Sequence, residues 1–132
     1  MQASPLDLFK VQHREIERLL ESCEALADSN AVLTMLRRSS AMVISHLEAK
    51  DAFYVQLAAL CTSKGDLPSG NIVKIFEQNM GVQSQAVRKF FSSLDAPAPN
   101  FGQSFKTMAF ILRQRISTEE KAVFPMYAKH SK

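Results

Sequence analysis

The chain has 132 residues, the size of one domain, with 46% apolar and 22% charged residues. Four Gly and five Pro exclude collagen-like or disordered compositions, and no apolar run approaches the ~20 residues that cross a bilayer. The net charge of +3 spreads sixteen basic residues among thirteen acidic ones, and the adjacent basic pairs Arg37–Arg38 and Arg88–Lys89 lack interleaved aromatics, so nucleic acid is not an expected partner.

The N-terminal stretch MQASPLDLFKVQHREIE is charged within its first ten residues and has no signal-peptide core, so a cytoplasmic protein is expected. Cys23 and Cys61 form no CxxC pair, and each falls near an apolar stripe; both are read as reduced core thiols.

Ser4-Pro5 opens a first helix, with Ser4 as cap and Asp7 at the positive end of the dipole. Its apolar stripe is Leu6, Phe9, Ile16, Leu20, Cys23 and Ala27, up to the break at Asp28-Ser29-Asn30. A second helix follows Asn30, with Val32, Met35, Leu36, Met42, Val43, Phe53, Leu57 and Leu60 on one face. It ends near Ser63-Lys64-Gly65, with Gly65 at C′ and Pro68 beyond.

Ser69 is the expected cap of a third helix, whose stripe reads Ile72, Ile75, Phe76, Val87, Phe90 and Leu94. The segment DAPAPN, Asp95 to Asn100, is a stiff connection. Asn100 with Gln103 resembles a capping box for a fourth helix through Phe101, Phe105, Met108, Leu112, Ile116 and Val123, which Pro125 should kink or end. Helices of ~22–32 residues with short connections predict an all-α, antiparallel up-down-up-down four-helix bundle, and residues 1–132 form that single domain.

Polar residues interrupt every stripe. His13 lies between Phe9 and Ile16. His46 and Lys50, Asn79 and Gln83, and Arg115 and Glu119 each follow at i, i+4 on the second, third and fourth helices. Unpaired buried charge costs several kcal/mol, so an inward cluster of His13, His46, Lys50, Asn79, Gln83, Arg115 and Glu119 is expected to be mutually paired.

His13 with Glu17, HLEAKDAFYVQL from His46, and RISTEEKAVFP from Arg115 to Pro125 resemble the hemerythrin-like, or HHE cation-binding, domain family over nearly the whole chain. In that family such a bundle holds two non-haem irons on about five His and two bridging carboxylates. The resemblance carries His ligands onto His13 and His46, and a carboxylate onto Glu119 or Glu120. Lys50 stands where a carboxylate is expected, Asn79 and Gln83 near expected His positions, and Arg115 where a His is expected. The chain has three His, and His130 lies at the C-terminal end. Lys and Arg offer donors only and repel cations. The expectation is therefore a degenerate site with no metal or cofactor, in which Lys50 and Arg115 supply the positive charge of the irons, neutralised by Glu119 with Glu17 or Glu120.

Three functions compete. The first is a non-catalytic regulatory, signalling or protein-interaction module, with Phe91, Phe110 and Tyr54 as candidate partner-surface residues. The second is a mononuclear Fe or Zn site on His13, His46 and Glu119 or Glu120, serving oxygen or nitric-oxide sensing or iron handling. The third is a small-anion pocket lined by Lys50, Arg115, His13 and His46. No nucleophile elbow, P-loop or dinucleotide fingerprint speaks for an enzyme. The expected partner is another protein or a small ligand, and monomer and homodimer stay open.

Overall fold

The computed structural model describes residues 5–96 and 99–131. Helix α1 spans Pro5–Ala25, α2 Ser29–Ser63, α3 Leu67–Ser92 and α4 Phe101–Thr118; a π turn, Glu119–Val123, joins α4 to α5, Phe124–His130. Among the described residues there is no strand. The long helices pack in sequence, α1 on α2, α2 on α3, α3 on α4, and α4 back on α1, which closes the expected four-helix bundle. No described helix is long and apolar enough to cross a membrane.

The starts of α2 and α3 use carboxylates. Asp28, two residues before the expected position, caps α2 by accepting from the Asn30 amide at 3.0 Å. Asp66 caps α3 in place of Ser69, whose amide and hydroxyl instead donate to it at 3.1 and 2.7 Å. Asn100 is the N-cap of α4 but makes no side-chain capping bond, so the capping box with Gln103 does not form. The Ser4 cap and part of the DAPAPN connection lie outside the described residues.

Gly65 closes α2 as expected, at φ +75°, where only glycine is unstrained. Its amide bonds Thr62 O at 3.0 Å and the Asp66 amide bonds Cys61 O at 2.9 Å, a Schellman turn that reverses the chain into α3.

Pro125 does not end the fourth helix, which runs on to His130. A proline has no N–H and its ring crowds the carbonyl four residues back. The preceding turn widens instead: the Phe124 amide bonds Glu119 O, five residues back. Such single π turns are frequent at functional sites.

The stripes of the first, second and fourth helices are largely buried, but Ala27 is exposed. The expected stripe of the third helix holds at Val87, Phe90 and Leu94, which are buried, but not at its N-terminal end: Ile72 and Ile75 face solvent, while Val73, Met80 and Ser84 face the core. Successive helical residues are ~100° apart, so two neighbouring stripes fit the same 3–4 spacing and only packing decides between them.

The interior divides into two apolar clusters. One gathers Ile16, Leu20, Leu36, Val43, Leu47, Val87, Phe91 and Leu112 among others. The second holds Leu6, Phe9, Phe53, Leu57, Val73, Met80, Val123 and Phe124 among others. On each helix the residues between the two clusters are polar: His13, His46 and Lys50, Ser84, and Arg115 with Glu119. All of these are buried.

Candidate functional site

The polar layer is built by i, i+4 ladders. His46, Lys50 and Tyr54 follow one another on α2, and Arg115, in the last turn of α4, is followed by Glu119 at the start of the π turn. Each ladder keeps one face, so its members meet in the centre of the bundle.

Glu119 is the hub, fully buried. Its Oε1 forms an ion pair with the Lys50 ammonium. Its Oε2 accepts from the Tyr54 hydroxyl at 2.7 Å and from Arg115 Nε at 3.2 Å. Lys50 Nζ also donates to His13 Nε2 at 2.8 Å and lies 5.9 and 5.8 Å from the ring centroids of Phe9 and Phe124. His13 Nε2 is thus an acceptor, and its Nδ1–H donates to Glu120 Oε2 at 2.9 Å. This fixes a neutral tautomer.

Arg115 spends the rest of its fork on α2 and α3. It donates to the Ser84 hydroxyl, to the Met80 carbonyl at 3.4 Å and to Asp51 Oδ1 at 3.4 Å. Asp51 in turn accepts from Ser84 Oγ at 3.1 Å and from Arg88 at 3.2 Å. His46 donates through Nδ1 to Gln12 Oε1 at 2.6 Å, and its ring stands edge-on to His13 with centroids 5.1 Å apart.

Burial, together with the neighbouring Lys50 charge, sets the imidazole protonation. His13 is pushed down to about 4 and His46 to about 2, so both are neutral near pH 7. Burial and the Arg115 guanidinium push the Lys50 ammonium well below its ordinary value, which leaves it dependent on Glu119 as counter-charge. Burial likewise lowers Arg115 and raises the Tyr54 phenol. Two buried cations therefore face one buried carboxylate, with half-exposed Asp51 and Glu120 at the margins.

The structure brings His13, His46, Lys50, Arg115 and Glu119 together, sets Glu120, the alternative carboxylate, at their margin on His13, and adds Tyr54, Ser84, Asp51 and Gln12. Asn79 is not part of the cluster: it faces solvent, on the side of α3 that carries Ile72 and Ile75. Gln83 is half-buried beside the layer, and its buried Oε1 has no hydrogen-bond partner. Ser84, the next residue, takes the inward place. Glu17 does not neutralise the cluster, because it pairs with Arg113 at 2.9 Å near the surface.

Tyr54 and Phe91, expected as partner-surface candidates, are buried, whereas Phe110 is exposed. The signal for Tyr54 was in the sequence, since it extends the His46, Lys50 spacing by one more turn. His130 lies away from the layer. It bridges Met126 O and Asp66 Oδ2, each at 2.8 Å, and so ties α5 to the α2–α3 turn.

Among the described residues no three His, Cys, Asp or Glu side chains are arranged to hold a metal ion. Lys50 Nζ stands against both His13 Nε2 and Glu119 Oε1, two of the atoms that the family resemblance marks as ligands. No curated protein and no solved structure matches the chain significantly. The family description "Hemerythrin HHE cation binding domain" matches residues 4–127, nearly the whole length. On that match, with the helical bundle and its central polar layer, the chain belongs to the hemerythrin HHE cation-binding domain family.

Proposed function

We propose that this chain is a metal-independent member of its family, a non-catalytic regulatory or protein-interaction module whose bundle centre is held by its own cations. The observation that carries this reading is the Lys50–Glu119–Arg115 bridge. One carboxylate joins two positive charges across the bundle, as a bridging carboxylate would join two metal ions.

The donor set does not fit a pair of iron ions. The layer holds two imidazoles, and the lone pair of His13 Nε2 is engaged by Lys50. Two cations already occupy the centre, and a metal ion would meet their repulsion at short range. A mononuclear site on His13, His46 and Glu119 or Glu120 would require Lys50 to leave both His13 and Glu119. A small anion would find the Lys50 and Arg115 donors committed to Glu119, His13, Ser84, Asp51 and the Met80 carbonyl.

The test is metal analysis and a visible spectrum of protein purified from iron-supplemented cells. The expected result is well under one iron per chain and no oxo-bridge absorption. Near-stoichiometric iron would overturn the reading.

A further inference from the structure

Lys50, His13 and Glu119 close a triangle of reactive atoms at the bundle centre. Lys50 Nζ faces Glu119 Oε1 and donates to His13 Nε2 at 2.8 Å, and that Nε2 lies 3.4 Å from the same Oε1. The three side chains are 1%, 2% and 0% exposed, in the order Lys50, His13 and Glu119. An ion pair needs only the amine and the carboxylate. The imidazole adds a base within reach of both the nucleophile and one carboxylate oxygen.

The two oxygens of Glu119 are held differently. Oε2 accepts from the Tyr54 hydroxyl at 2.7 Å and from Arg115 Nε at 3.2 Å, two donors placed to stabilise negative charge developing there. Among the described residues Oε1 meets only Lys50 and His13. His13 is oriented in turn by Glu120, whose Oε2 accepts from Nδ1 at 2.9 Å. The Nε2 lone pair therefore points at Lys50, and Glu120 balances the imidazolium formed when Nε2 takes a proton. Nucleophile, base, orienting carboxylate and oxyanion donors together make a complete set for acyl transfer to an amine.

We propose that the folded chain slowly joins Lys50 to Glu119 through an amide bond, a covalent crosslink between α2 and the π turn. Burial disfavours the charged pair, so a proton passes from the Lys50 ammonium to Glu119 Oε1, giving a neutral amine and a carboxylic acid. The Nζ lone pair attacks Glu119 Cδ, and negative charge gathers on Oε2 under Tyr54 and Arg115. His13 Nε2 takes a second proton from Nζ and hands it to Oε1. The Cδ–Oε1 bond breaks and Oε1 leaves as water. One ammonium and one carboxylate become one amide and one water, with no other reactant.

The product fits the same surroundings. Its N–H has His13 Nε2 as acceptor, and its carbonyl, the former Oε2, keeps Tyr54 and Arg115. Arg115 retains Asp51 as counter-charge. Phe9 and Phe124, whose ring centroids lie 5.9 and 5.8 Å from Nζ, shield the bond from the water that would reverse the step.

Intact mass spectrometry under denaturing conditions, on full chain kept folded for several days, tests the crosslink. A species lighter by one water should accumulate at a rate independent of protein concentration, while chain kept unfolded in urea should stay at its sequence mass. Trypsin should then release a branched peptide joining residues 39–64, uncut at Lys50, to residues 116–121. Lys50→Met should abolish the loss. His13→Leu should slow it at least about tenfold, because it removes the base and keeps both reacting groups. If His13→Leu does not fold, Tyr54→Phe, which removes one oxyanion donor, should slow it as well. A parent that stays at its sequence mass, or a lost water that maps to other residues, overturns the crosslink and leaves the metal analysis above unaffected. A folded His13 or Tyr54 variant that closes as fast as the parent overturns the assigned catalytic set.

Discussion

Lys50 and Arg115 reach the bundle centre from different helices and bind opposite oxygens of one carboxylate, Oε1 and Oε2 of Glu119. Neither cation has another fully buried anion. Lys50 is otherwise held by a neutral imidazole, and Arg115 by a hydroxyl, a carbonyl and the half-exposed Asp51. Removing the shared anion and removing one cation are therefore unequal changes.

Glu119→Ala should destabilise the protein by about 3–5 kcal/mol, because it leaves two buried cations without their common partner. Lys50→Met should cost less than half as much. Its stem already lies among Phe9 and Phe124, and Glu119 keeps Arg115 and Tyr54. Urea titrations at pH 7 measure both. Equal losses would show that the carboxylate is not the hub.

Acid should unfold the chain early. Free histidine titrates near 6.5, whereas His13 is held down to about 4 and His46 to about 2. Both must stay neutral in the fold, so the unfolded state binds more protons as the pH drops. Stability present above pH 6.5 is thus lost progressively from there through about 4, with the His46 contribution still falling below that. His130 works the other way: its bonds to Met126 O and Asp66 raise it, which favours the fold below its unfolded value and is lost as pH rises. Melting temperature measured from pH 7 to 4 should fall steadily, and His130→Ala should steepen that fall. A flat profile would mean that the imidazoles protonate freely in the fold.

The ladders explain what could be read from the chain. His13, His46 with Lys50, and Arg115 with Glu119 each replace an apolar residue in an otherwise regular stripe, so their inward direction follows from spacing alone. The third helix offers two stripes of similar apolar character. Spacing could not tell Ile72–Ile75–Asn79 from Val73–Met80–Ser84, since the choice depends on which face meets α2 and α4. The π turn was hidden for a related reason. Pro125 announces a disturbance, but whether the helix stops or widens depends on the packing of Val123 and Phe124 just before it.

Asp66 carries three tasks that Asp28 does not share. It caps α3, accepts the Ser69 hydroxyl and holds His130, and these bonds keep its carboxyl down at about 2. Asp28 accepts one exposed amide. Asp66→Ala should therefore lower the melting temperature more than Asp28→Ala, with part of the loss reproduced by His130→Ala. Equal shifts for the two aspartates would show that the α5 tie contributes nothing.

Two substitutions should turn the bundle centre towards metal. Lys50→Glu with Arg115→His removes both cations and adds a carboxylate and an imidazole at the positions where the family resemblance implies them. His13 Nε2 and Glu119 Oε1 would lose the ammonium that now engages them, leaving His13, His46, Glu119 and the two new side chains on three helices. Nitrogen and oxygen donors in that number suit a first-row divalent metal. The third helix still contributes only the Ser84 hydroxyl and the Met80 carbonyl, so one metal is expected and not two. A ligand that binds only the folded state stabilises it by mass action, so Zn²⁺ or Fe²⁺ should raise the melting temperature of the double variant. The parent should show no such rise, because Lys50 and Arg115 still hold the centre. A double variant that folds but ignores metal would mean that the five donors do not converge. A parent that responds equally would mean that its own cations do not exclude metal.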